Sequence, residues 1–118
     1  MPSLLGREVC SYRVSVFEST NLDYDRWIRL ELGPQGDEPR HVVEIEFPPV
    51  APADFLYIGA ASSLVRIDRN KFDAVVRLLQ TERPLFFNAR DADDACFAGL
   101  STDPGFTGES APDADFVV

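Results

Sequence analysis

Trp27-Ile28-Arg29-Leu30-Glu31-Leu32 alternates without a fault: Ile28, Leu30 and Leu32 fall on one side, Trp27, Arg29 and Glu31 on the other. Successive side chains of a strand point to opposite faces, so this stretch reads as a half-buried β-strand with a wet outer face. Its neighbours carry the same period. Upstream, Cys10-Ser11-Tyr12-Arg13-Val14-Ser15-Val16 sets Cys10, Tyr12, Val14 and Val16 against Ser11, Arg13 and Ser15. Downstream lies the loop signal Gly33-Pro34-Gln35-Gly36-Asp37-Glu38-Pro39, and beyond it Val43, Ile45 and Phe47 alternate with Val42, Glu44 and Glu46. Three such segments in succession predict an antiparallel meander with one solvated face.

Further along, Pro48, Pro49 and Pro52 end the third strand. Phe55-Leu56-Tyr57-Ile58 is a short apolar run that suits a fourth strand or an edge segment, Gly59 to Ser63 a small-residue loop, and Leu64-Val65-Arg66-Ile67 fits either element. Phe72, Val75, Val76 and Leu79 fall at i, i+3, i+4 and i+7, the stripe of an amphipathic helix over 69–82. Asp68 suits its N-cap, Ile67 and Phe72 the two ends of a hydrophobic staple, and Asp73 pairs with Arg77 on the outer side. Pro84 ends it. Leu85-Phe86-Phe87 and Ala95-Cys96-Phe97-Ala98 read as strands around the polar turn Asp91-Ala92-Asp93-Asp94. The expected fold class is α+β, an antiparallel sheet of about five or six strands with one helix on its inner face. It forms a single domain over 1–101, followed by an acidic Gly/Pro-rich tail over 102–118, solvated or docked through Phe116, Val117 and Val118.

The chain has 118 residues, 45% of them hydrophobic, enough for one core. No apolar run approaches the ~20 residues of a membrane span, and Met1 to Glu8 shows no basic segment leading into an apolar one. The expected setting is therefore cytoplasmic, with no membrane partner. Net charge is −9, unevenly placed. Residues 91–118 carry Asp91, Asp93, Asp94, Asp103, Glu109, Asp113 and Asp115 with no Lys or Arg. All 11 basic residues lie in the first ninety, against 13 acids. Ten of the eleven are arginines scattered among acids, so no basic run invites direct nucleic-acid binding.

The motifs of chemistry are missing. Cys10 and Cys96 lack CxxC spacing and read as reduced, buried residues. His41 alternates away from Glu44 and Glu46, which speaks against a metal site and suits a strand-end residue. Asp91-Ala92-Asp93-Asp94 would need an oxygen ligand, Gly and Glu at later loop positions, where Ala95, Cys96 and Thr102 stand, so it is no calcium loop. No Gly-rich phosphate loop or GxSxG elbow occurs, and no cofactor is expected. Glu44 and Glu46 share a wet strand face, where pairing with Arg29 and Arg13 explains them better than acid–base catalysis.

The outer face holds the sharper signal. Pairing the first two strands with their apolar residues in register sets Phe17 opposite Trp27 and Arg13 opposite Glu31. The second and third then set Arg29 opposite Glu44 and Trp27 opposite Glu46. An aromatic pair, Phe17 and Trp27, is left on a polar face. Either the C-terminal segment or Phe55-Leu56-Tyr57-Ile58 covers it, or it is exposed as an interface anchor. The candidate partner-binding residues are Phe17, Trp27 and Arg29, with the acids Asp91, Asp93, Asp94 and Glu109 facing a basic partner surface. The expected function is that of a non-catalytic protein-interaction module, an immunity protein, inhibitor or accessory subunit. The alternatives are a small enzyme or ligand binder with a pocket between helix and sheet, and a self-associating homo-oligomer.

Overall fold

Fourteen residues, Ser3–Val16, form the longest strand, β1, and the rest of the sheet assembles on its two sides. The computed structural model describes residues 3–16, 26–37, 39–48, 55–92, 95–102 and 114–116. Along the chain follow β2 (Arg26–Leu32), β3 (His41–Phe47), β4 (Phe55–Ile58), β5 (Ser62–Arg66), the helix α1 (Phe72–Thr81), β6 (Phe86–Ala92), β7 (Ala95–Ser101) and β8 (Ala114–Phe116). Their order across the sheet is β4-β5-β3-β2-β1-β6-β7-β8. The sheet coils until β4 lies against β6, so that it nearly closes on itself.

The sheet is larger than expected and it is mixed. The chain leaves β3 for the outermost β4 and turns back as β5, which slots in beside β3 in the same direction. Leu64-Val65-Arg66 resolves as strand, with Val65 buried, and Ile67 just beyond its end is buried too. Helix-sized spacing and a four-residue alternation cannot be told apart over so short a run. The three-residue β8, within the expected tail, pairs with β7.

Inner-face residues Ile28, Leu30, Val43, Ile45, Phe47, Val65 and Phe87 are fully buried, and α1 adds Phe72, Val75 and Leu79 to the same core. Val76 packs against it while half-buried. The Phe47 and Phe72 rings meet edge to face at 5.0 Å, a favoured geometry for an aromatic pair. The helix is shorter than its stripe implied. Arg69–Lys71 form a 3₁₀ turn, capped by the Asp68 carboxylate accepting from the Asn70 N–H at 3.0 Å, and α-helix begins only at Phe72.

β1 departs from simple alternation twice. Its pairing with β6 shifts between Leu4 and Arg7. Gly6 sits there at φ 62°, a left-handed conformation that only glycine adopts without strain, and its N–H donates to buried Asn88 Oδ1 at 2.8 Å. The kink turns Arg7 inward, where it is 2% exposed. Its guanidinium donates to the Gly33 carbonyl at 2.9 Å and the Pro39 carbonyl at 2.8 Å, tying the β2–β3 loop to β1. A second shift lies between Val9 and Ser11, with Cys10 the extra residue. Cys10 is therefore exposed and free, not buried, and Val9 joins Tyr12 on the inner face. The Cys96 side chain lies outside the described residues.

Candidate interaction surface

Strand register lays the outer face out in rows. The first runs Phe55, Arg66, Glu46, Trp27, Ser15 across β4, β5, β3, β2 and β1. The second runs Tyr57, Leu64, Glu44, Arg29, Arg13, and the third Ser62, Val42, Glu31, Ser11. Directly opposed residues lie on one face with Cβ atoms ~4.5–5.5 Å apart, so each row is a line of neighbours.

Between β2 and β3 the expected pairs, Arg29 with Glu44 and Trp27 with Glu46, stand. Between β1 and β2 they do not. Arg13 faces Arg29, Ser11 faces Glu31 and Ser15 faces Trp27. The slip is two residues, and a two-residue slip leaves every side chain on its own face, so hydrophobic patterning cannot detect it. Two positive charges thus meet where an ion pair was expected. Ser11 Oγ donates to Glu31 Oε2 at 3.1 Å instead.

Glu46 is only 6% exposed, and its carboxylate is held by Arg66 Nε at 2.8 Å, not by Arg29 or Arg13. Arg66 also lies over the Phe55 ring, 5.6 Å from its centroid, a cation–π contact. Phe55 and Tyr57 are 44% and 57% exposed. Trp27 and Arg29 are half-buried, yet Trp27 Nε1 and Arg29 Nε are shut off from solvent without an acceptor among the described residues. Such donors are costly to leave unmade. Phe55 stands in the row of Trp27 three strands away, so β4 flanks Trp27 and does not cover it.

The other candidate residues scatter. Asp91 is exposed near the end of β6, opposite Cys96, beside the start of β1, whereas Trp27 pairs near its finish. Phe17, Asp93, Asp94 and Glu109 lie outside the described residues. Phe55, Tyr57 and Arg66 are the outer-face residues that sequence reading missed. The 55–58 stretch does alternate, aromatic residues on one side and aliphatic on the other, which is a period-two signal four residues long.

Two concavities flank this surface. A shallow one of about 280 Å³ is lined by Ser11, Tyr12, Arg13, Arg29 and Glu31. A larger one of about 670 Å³ lies between Glu8–Tyr12 of β1 and the exit of α1, at Leu79 and Glu82–Leu85. His41 belongs to neither. It is the first residue of β3, beside the loop as expected, and it is buried on the inner face with Nε2 2.7 Å from Ser63 Oγ. Among the described residues no cluster of three metal-ligating side chains occurs, and no helix is long and apolar enough to cross a membrane. No protein-family model, curated protein or solved structure gives a match to this chain.

Proposed function

We propose that the chain is a non-catalytic protein-interaction module of the cytosol, of the immunity, inhibitor or accessory-subunit type, which engages a protein through the outer face of β4, β5, β3 and β2. The observation that carries this reading is a face that exposes Phe55 and Tyr57 beside Arg66 and half-buried Trp27 and Arg29. Trp, Tyr and Arg are the residue types that anchor interfaces, because they bury large area while keeping a polar tip for the partner. The acids of residues 91–118 add a one-signed stretch that favours a basic protein surface and repels nucleic acid.

The test is affinity purification from the native host, followed by binding measurements on the purified pair. Trp27→Ala should leave folding intact by circular dichroism and weaken the complex by ~2–4 kcal/mol, the range of an interface hot spot. Undiminished affinity in that variant contradicts the reading.

The β1–α1 concavity favours a second reading, a ligand-binding protein. Its wall combines Tyr12, Cys10, Glu8, Glu82 and Arg83, and its volume suits a small molecule. A compound that raises the melting temperature of the wild type but not of Tyr12→Ala would support that alternative.

A further inference from the structure

β6 accompanies β1 only from Ser3 to Val9. The last bond is Val9 N–H to the Leu85 carbonyl at 2.9 Å, and before Leu85 the chain lies at Pro84, on its way from the helix. From Cys10 to Val16, β1 pairs with β2 on one side and makes no backbone hydrogen bond on the other with any described residue. A row of unpaired N–H and C=O groups is a template for another strand, and natural edges are usually guarded by proline, lysine or inward charge. Cys10-Ser11-Tyr12-Arg13-Val14-Ser15-Val16 has no proline and no lysine.

The side chains beside this edge define what would pair with it. On the outer face Arg13 ends the row Glu44, Arg29, Arg13, opposed by a like charge, and makes no ion pair or side-chain hydrogen bond with any described residue. The neighbouring position, where no described strand pairs, is where a carboxylate would complete the alternation of charge. On the inner face Val14 and Val16 are 36% and 64% exposed, beside half-buried Tyr12. The concavity of about 670 Å³ runs along the same edge, from Glu8 to Tyr12, in the corner that the chain vacates at Pro84.

We infer that the open edge of β1 over residues 10–16 takes an extended segment of the protein partner by strand addition. The segment places Asp or Glu opposite Arg13 and apolar side chains against Tyr12, Val14 and Val16, with one end seated in the adjoining concavity. Main-chain bonds supply affinity in this mode and alternate side chains supply specificity. The inference rests on the protein-partner reading above and adds the chemistry of the bound segment. A second copy of the chain fits less well. Antiparallel self-pairing centred on Arg13 sets arginine against arginine, and centring on Val14 sets Arg13 against Ser15, so neither supplies the carboxylate.

The test uses two labelled peptides, Val-Glu-Val-Glu-Val and Val-Lys-Val-Lys-Val, each flanked by glycines, at up to millimolar concentration. Binding is read by fluorescence anisotropy and by amide hydrogen exchange. The acidic peptide should bind wild type about two- to fivefold more tightly than the basic one and should slow exchange within residues 10–16. Arg13→Glu, at an exposed position, should invert the preference. Equal affinities in both proteins, or protection elsewhere, overturn the inference. So does concentration-dependent self-association that protects residues 10–16 without peptide, which gives the edge to a second copy. A natural partner lost on Trp27→Ala but retained by Arg13→Glu, with residues 10–16 unprotected, ends this inference and leaves the proposed function standing.

Discussion

The two halves of β1 are one continuous strand in two environments. Ser3–Val9 pairs with β6, has its other flank tied to the β2–β3 loop by the Gly33 N–H to Glu8 carbonyl bond and by the Arg7 guanidinium, and buries Leu4 and Arg7. Residues 10–16 pair with β2 and make no backbone hydrogen bond on the other side with any described residue, and their two valines are exposed. The first half closes the sheet and the second leaves it open, although both are written in similar residues. What separates them is where β6 stops. Each half has one strand partner, and the buried half is the one whose second flank is tied to the β2–β3 loop.

Substitutions can break or sharpen this contrast. The largest expected effect is at Leu4, 5% exposed in the closed half. Leu4→Ala should cost ~2–4 kcal/mol in chemical denaturation, whereas Val16→Ala in the open half should cost ~0.5 kcal/mol or less. Comparable losses at the two positions would erase the distinction. Next comes Arg7→Met, which removes the bonds to the Gly33 and Pro39 carbonyls. A stability loss of ~2–3 kcal/mol is expected, with faster exchange of the amides in residues 33–37 as the loop loosens.

Gly33→Ala tests the junction of the halves. A Cβ there would meet Cys10 Sγ at 2.8 Å, which should cost ~1–2 kcal/mol, and Cys10→Ala in the same chain should recover most of it. An additive double mutant would show that Cys10 does not lie over Gly33. The smallest effect is a gain. Arg13→Glu replaces a like-charge pair across from Arg29 with an opposite one and should stabilise the free protein by ~0.2–1 kcal/mol, a gain that salt removes.

Alternation in the sequence placed β2 and β3 and their mutual register, because an unbroken apolar row meets a short loop there. It also located the helix stripe at Phe72, Val75 and Leu79. Three things were out of its reach for physical reasons. A glycine kink and an extra residue at Cys10 each reset the phase of β1 without a compositional mark. The Arg13–Arg29 pairing differs from the expected Arg13–Glu31 by two residues, a slip that keeps the faces intact. The parallel β3–β5 pair depends on a crossover through β4, which leaves no hairpin signal. Of the proposed interaction surface, Trp27 was legible as an aromatic residue on a polar face, with Arg29 beside it on the same face. Phe55, Tyr57 and the open edge were not, since exposure there follows from topology.

Amide hydrogen exchange along β1 in the free protein tests the account most directly. In the half paired with β6, Val9 N–H donates to the Leu85 carbonyl and Gly6 N–H to Asn88 Oδ1, and these amides should exchange slowly, close to the rate of global unfolding. Within residues 10–16, the amides turned away from β2 should exchange orders of magnitude faster, alternating with protected ones that bond to β2. Slow exchange at every amide of residues 10–16 in the monomer would mean that their far side is already paired, and would contradict the open edge.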